Sequence, residues 1–168
     1  MPDREALKTA KSQALKHLSY RDRSKRELTQ YLEKKEHAPA VIEKTIQYLV
    51  NLNYINDPRF AMEWGRSRIE RKKFGKERVR QELFAKGIAP DIINVALDTL
   101  YDANPEKELA LACASKKLAS LHGLEPEKRS RRLAHYLQRR GFSADIIYET
   151  LKISVTNSGQ RDAGPNEP

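Results

Sequence analysis

The sequence has one cysteine in 168 residues, which excludes an internal disulfide. Cys113 lies among alanines and leucines, so we predict a small buried side chain rather than a reactive thiol. No apolar run approaches the roughly 18 residues that a membrane helix needs, and the first residues lack the apolar core of a signal peptide. We therefore expect a soluble, intracellular protein that does not bind a membrane.

Catalytic and cofactor motifs are missing as well. The four histidines are scattered, and no pair has zinc-ligand spacing. Gly75-Lys76 lacks the earlier glycine and the following Ser or Thr of a phosphate-binding loop. No nucleophile is found with a base at a recognisable spacing. The sequence thus predicts a protein that is not an enzyme and has no catalytic, metal-binding or cofactor-binding residues.

What the sequence does contain is charge in a helix-forming background. Charged residues make up 33% of the chain and aromatics only 7%, which favours an all-α fold. The formal net charge is +9, with 32 Lys and Arg against 23 Asp and Glu. Such an excess indicates an acidic partner, either nucleic acid or an acidic protein surface. The alternative is that the charge serves solubility alone.

Apolar residues recur at helical spacing in three similar blocks. Each block has a central helix with two apolar residues four positions apart, which therefore share one face. An apolar helix follows each pair at a constant offset. A period of about 50 residues is typical of arrays in which each unit buries its open face against the next. The three pairs are Leu28 and Leu32, Val79 and Leu83, and Leu133 and Leu137.

This pattern predicts three tandem three-helix repeats in an elongated, helix-turn-helix-like, all-α protein. The expected bounds are 1–53, 54–103 and 104–153. The polar segment 154–168 has no periodicity and is predicted to be a disordered tail. Glu36 occupies the position that is glycine in the other two repeats, at Gly87 and Gly141, so we expect a wider turn in the first repeat.

The starts of individual helices can also be predicted. Ser24 and Glu27 fit a capping box. Asp57 and Asn104 each precede a proline, and we expect their side chains to cap the helices that follow. In the stretch after the first repeat, the aromatic residues are predicted to lie in the core rather than to stack on bases; they are Tyr54, Phe60 and Trp64.

Basic residues are concentrated in two blocks separated by an acidic one. Residues 59–86 hold ten basic and four acidic side chains, and residues 128–144 hold six basic and none acidic. Some pairs, such as Arg66 with Glu70, fit ordinary solvated helix faces. The others have few carboxylates near them, which favours anion binding. The candidate contact residues are Arg66, Arg68, Arg71, Lys72, Lys73, Lys76, Arg78 and Arg80 in the middle block and Arg129, Arg131, Arg132, Arg139 and Arg140 in the last.

Several of these motifs together resemble the RecX family, bacterial regulatory proteins of the RecA recombinase. The resemblance covers roughly residues 5–153. It rests on Arg21–Leu28 (RDRSKREL), on Leu52–Ala61 (LNYINDPRFA), on Arg66-Ser67-Arg68, and on Gly75-Lys76 followed by Glu82–Gly87 (ELFAKG). Each motif alone is weak, and the combination is fairly specific.

The resemblance implies a cytoplasmic, monomeric modulator without enzymatic activity. Such proteins bind along the groove of the RecA filament on single-stranded DNA and bridge neighbouring protomers. They restrain filament growth, ATP hydrolysis, strand exchange and cleavage of the SOS repressor. The family also binds DNA, with double-stranded DNA as a further candidate partner. The basic residues above are then expected to contact RecA or DNA.

Two other kinds of protein fit the same residues. A helix-turn-helix regulator that acts on DNA without RecA predicts a two-fold dimer and spaced half-sites. A pure protein-interaction scaffold predicts no affinity for DNA. Tandem, unequal units in one chain argue against the helix-turn-helix regulator.

Overall fold

The computed structural model describes residues 3–159, with side chains as far as Ser154, and every regular element in this range is an α-helix. The predicted all-α class is therefore confirmed. None of the helices in this part of the chain is long and apolar enough to cross a bilayer. In order they are α1 (Arg4–Leu18), α2 (Lys25–Lys34), α3 (Pro39–Asn51), α4 (Asp57–Lys72), α5 (Lys76–Ala85), α6 (Pro90–Ala103), α7 (Glu106–Leu118), α8 (Pro126–Arg139) and α9 (Ala144–Gly159).

The described residues form two compact units. The first unit takes the residues up to Trp64 and Glu82–Ala96, and the second takes Gly65–Gln81 and the residues from Leu97 on. Helices α4, α5 and α6 each contribute residues to both units.

Helices α1, α2 and α3 pack against one another in the first unit. One face of α3 is buried, and it consists of Val41, Ile42, Thr45, Ile46 and Leu49. Leu28 and Leu32 of α2 are fully buried beneath it. The core cluster consists of Ala10, Ala14, Leu28, Leu32, Val41, Ile42, Ile46, Leu49 and Ile55.

The capping box of α2 is confirmed, whereas the cap of α4 was assigned to the wrong residue. Ser24 Oγ accepts the amide of Glu27, and Glu27 accepts the amide of Ser24. At α4 the cap is Asn56, whose Oδ1 accepts the amide of Arg59 at 2.8 Å. Helix α4 begins one residue earlier than expected, so Asp57 lies inside its first turn. The Asp57 carboxylate instead accepts the amide of Lys25 at 2.8 Å and satisfies the first turn of α2.

Among the aromatic residues near α4, the core prediction is wrong for Tyr54. Its side chain is 53% exposed, while the next residue, Ile55, is only 3% exposed. Asn53 adopts a left-handed conformation that turns the chain, so Ile55 faces the core and Tyr54 faces solvent. Phe60 is buried as predicted. Trp64 is half-buried: it stacks on Phe60 and donates from Nε1 to Glu82 at 3.0 Å.

In the second unit, α7, α8 and α9 pack against one another. Cys113 is 4% exposed, which confirms its predicted burial. The predicted cap at Asn104 is wrong. The side-chain Nδ2 of Asn104 donates to the carbonyl of Leu100 at 2.9 Å, near the end of α6, and the N-cap of α7 is Pro105, which has no side-chain hydrogen bond.

The last helix continues past the expected start of the tail. Helix α9 runs to Gly159, and Ser154 hydrogen-bonds its own helix through the carbonyl of Thr150 at 2.7 Å. Polar residues near a helix end can bond to the preceding turn in this way, so polarity alone did not mark the boundary. The remainder of the predicted tail, 160–168, lies outside the described residues.

The same turn ends the second helix of all three repeats, so the expectation of a wider first turn is wrong. Glu36, Gly87 and Gly141 all have positive φ, at 61°, 77° and 85°. In each case the next amide reaches back to the carbonyl of the buried leucine five residues earlier, at 3.2–3.3 Å. This is the Schellman arrangement, in which glycine is usual but not obligatory.

Candidate nucleic-acid and protein interface

All of the predicted contact residues fall within the second unit, on α4, the α4–α5 turn, α5, and along α8 as far as its C-cap Arg140. The candidates that look alike in the sequence have different environments in the structure. Some hold the α4–α5 turn in place, some are paired with carboxylates, and some are exposed without an ion pair.

The α4–α5 turn docks on the end of α8. The amide of Gly75 donates to the carbonyl of Arg140 at 2.8 Å, and the amide of Glu77 donates to the carbonyl of Gly141 at 3.2 Å. Gly141 allows this approach because it has no side chain. A Cβ there would overlap the backbone of Arg78 and lie 2.8 Å from its Cα. The contact brings the basic residues of α4 and α5 beside the basic end of α8.

Arg140 has a structural role at this contact. Its guanidinium donates to the carbonyl of Lys72, the last residue of α4, and so satisfies one of the free acceptors at that helix end. It also lies over the rings of Tyr136 and Phe74, 4.8 Å and 5.7 Å from their centroids. Arg78 lies over the same Phe74 ring at 5.6 Å. These cation–π contacts hold two predicted contact residues in the joint between α4, α5 and α8.

Lys76 is neutralised locally. Its Nζ lies 2.7 Å from Asp98 Oδ1, and its amide donates to Glu106 at 2.8 Å. The hydrogen bond from Lys76 holds the pKa of Asp98 below its usual value. Two further candidates also pair with carboxylates: Arg80 with Glu77 at 3.6 Å and Arg131 with Glu127 at 3.0 Å. Cations in such pairs present less net charge to a ligand than isolated ones.

Three exposed cations lie at the end of α4 and in the α4–α5 turn. Among the described residues, Arg71, Lys72 and Lys73 form no ion pair, and all three side chains are exposed. Arg66 is exposed and Arg68 half-buried on the same helix.

A row of basic residues on α8 is the second exposed set, and the sequence prediction captured only part of it. Lys128, Arg132, His135 and Arg139 follow the spacing i, i+4, i+7, i+11 and all are exposed. Residues at this spacing share one face of a helix. We call this row the α8 stripe. Lys128 and His135 were absent from the candidates, although placing the block on a single helix would have revealed them. Arg129 is half-buried, outside the stripe.

The first unit contains a comparable contact, made by residues of the motifs quoted above. Ser24 Oγ donates to the carbonyl of Lys86 at 2.6 Å. Glu27 accepts both Lys86 Nζ at 2.6 Å and Arg21 at 2.9 Å. Burial by itself would raise the pKa of Glu27, but the hydrogen bonds from Arg21 and Lys86 outweigh it and lower the pKa to about 2. Gly87 packs against the Arg26 side chain with no room for a Cβ.

Two of the motifs quoted for the resemblance, Arg21–Leu28 and Glu82–Gly87, therefore meet at this contact in the first unit. Three family models cover most of the chain: the first, second and third three-helix domains of RecX match residues 10–49, 56–97 and 105–151. The chain belongs to the RecX family. The predicted series of three tandem three-helix repeats is thereby confirmed.

Individual RecX proteins agree with this assignment. The chain is 30% identical over 159 residues to the regulatory protein RecX of Streptomyces coelicolor, covering 95% of this chain and 84% of that protein. It is 37% identical over 138 residues to the regulatory protein RecX of Chlorobium phaeobacteroides, covering 82% and 88%. The crystal structure of RecX from Lactobacillus salivarius superposes with a TM-score of 0.80 at 25% identity, covering 88% of this chain and 96% of that one. These RecX relatives are named as regulatory proteins and not as enzymes.

Proposed function

We propose that this protein regulates the RecA recombinase without catalysing a reaction. It binds RecA and its filament on single-stranded DNA in the cytoplasm, as a monomer. Binding restrains filament growth, and with it ATP hydrolysis, strand exchange and cleavage of the SOS repressor. Double-stranded DNA is a weaker candidate partner.

The observation that carries this proposal is the location of the basic residues in a RecX-family chain. Among the described candidates, Arg71, Lys72 and Lys73 are exposed without ion pairs around the α4–α5 turn, as are Arg132 and Arg139 on α8, while Arg78 and Arg140 hold the joint between these elements. A filament on single-stranded DNA offers both phosphates and protein surface to such cations. Phosphate contacts carry little sequence preference and weaken steeply with salt. A regulator that follows a filament, whatever its DNA sequence, needs this kind of binding.

The direct test is the ATPase activity of preformed RecA filaments on single-stranded DNA. We expect suppression at a ratio of this protein to RecA well below one, because one bound molecule at a filament end or in the groove affects many protomers. A protein that merely removes DNA from RecA would need to be present in amounts comparable to the DNA, and excess single-stranded DNA would relieve its effect. No suppression at equimolar protein would refute the proposal.

A matched pair of variants tests the basic turn. Lys72→Glu/Lys73→Glu reverses two exposed lysines of the second unit that form no ion pair. Lys34→Glu/Lys35→Glu makes the same change in charge at the exposed end of α2 in the first unit. We expect the first variant to suppress the ATPase poorly and the second to act like the wild type. Equal loss in both variants would mean that net charge, not the surface of the second unit, controls binding.

A further inference from the structure

The cations of the second unit differ in what they can bind, and the α8 stripe is the set with the clearest chemistry. We infer that the α8 stripe, formed by Lys128, Arg132, His135 and Arg139, binds the phosphate backbone of single-stranded nucleic acid rather than the RecA protein. This inference rests on the proposed function, of which it specifies one contact.

The buried leucines of α8 lie on a different face of the helix from the stripe. Leu133 and Leu137 are 1% and 0% exposed and anchor the inner face. Helix α8 therefore has a fixed orientation, and the stripe lies on its outer side. From Lys128 to Arg139 the stripe spans about 16 Å at the helical rise of roughly 1.5 Å per residue. The lysine and two arginines spread over this length can contact several successive phosphates of an extended strand.

The charges of the stripe are not compensated nearby. Among the described residues, Lys128, Arg132 and Arg139 take part in no ion pair. The Glu127 carboxylate binds Arg131, which lies beside the stripe rather than in it. Exposed like charges in a row repel one another, and a polyanion relieves this repulsion while releasing its own counterions.

The composition of the outer face distinguishes nucleic acid from protein as the ligand. Besides the stripe, the exposed positions of α8 after its first two residues are Arg131 and Gln138, so this face offers no apolar or aromatic anchor. The energetic centre of a protein interface usually contains such an anchor. Tyr136, the aromatic residue of α8, is engaged by Arg140 and Lys117. A surface of Lys and Arg without Phe, Tyr or Trp is suited to phosphates.

The test is the salt dependence of binding to a short oligo-dT strand in the absence of RecA, followed by fluorescence anisotropy. Each lost phosphate contact lowers the slope of log K against log salt by about 0.7 for single strands. We expect Arg132→Gln/Arg139→Gln to lower the slope by about 1.4. At about 0.1 M salt its affinity should then fall roughly 25-fold. Lys34→Gln/Lys35→Gln is the control, because it removes the same two charges from exposed positions of the first unit and should change affinity less than twofold.

The same variants separate this inference from the proposed function. If the double variant binds oligo-dT like the wild type, the inference is overturned, and a loss of RecA suppression in that case assigns the stripe to the protein. If oligo-dT binding depends on the stripe but the wild type does not suppress the RecA ATPase, the inference stands and the proposed function fails. Circular dichroism confirms that the variants fold, which is expected because both side chains are exposed.

Discussion

Replacing Gly141 by alanine tests the contact that joins α4, α5 and α8. Gly141 has a φ of 85°, where an alanine costs about 1–2 kcal/mol. The new Cβ would also overlap the backbone of Arg78, and backbone cannot rotate away as a side chain end can. Overpacking of this kind costs about 1–3 kcal/mol. We therefore expect Gly141→Ala to lower the free energy of unfolding by about 3 kcal/mol.

Glu36 provides an internal control for this experiment. It adopts the same turn with a φ of 61°, yet it carries a side chain and is exposed. Glu36→Gly should raise the free energy of unfolding by about 1 kcal/mol, because it relieves the left-handed conformation and changes no packing contact. The amount by which the free-energy change of Gly141→Ala exceeds that of Glu36→Gly in magnitude measures the cost of the overlap with Arg78.

Urea unfolding followed by far-UV circular dichroism provides the assay. With a slope of about 2 kcal/mol per M, the Gly141→Ala variant should unfold at a urea concentration about 1.5 M lower than the wild type. A loss of no more than about 2 kcal/mol would match the cost of the left-handed conformation alone. That result would refute the argument that the α4–α5 turn can pack against the end of α8 only because residue 141 is glycine.

Two further predictions concern groups whose pKa the fold changes. Glu27 has a pKa of about 2 in the folded protein against an ordinary 4.5, so its stabilisation is complete above pH 4.5 and is lost as the pH falls towards 2. Acid unfolding of Glu27→Gln should therefore lack roughly 3 kcal/mol of pH dependence over this window, and an unchanged acid profile would contradict the contacts with Arg21 and Lys86. Burial raises the pKa of the Cys113 thiol, so a thiol reagent should react much more slowly with the folded protein than in urea. Equal rates in the two conditions would show that Cys113 is accessible in the folded state.

The sequence predicted best those features that depend on neighbours along the chain. The capping box of Ser24 agrees with the structure, and the three predicted apolar pairs, Leu28 with Leu32, Val79 with Leu83, and Leu133 with Leu137, are all buried. The sequence-based predictions were wrong where the local sequence allowed two structures equally well. Asn56 and Asp57 are both good caps, and the position of the first turn decides between them. At Glu36 the turn was judged from the residue type, although a left-handed turn also accepts a side chain when nothing packs against it.

For the candidate site too, some features could be predicted from the sequence and others required the structure. The sequence alone determined the helical class, the threefold repeat and the two basic blocks, because these follow from spacing and composition. It could not determine which basic residues are exposed to a ligand. That depended on contacts between distant positions: Arg140 with the end of α4, and Lys76 with Asp98. Tertiary packing decides such contacts, since a cation seen in sequence has the same charge whether it closes a joint, pairs with a carboxylate or faces solvent.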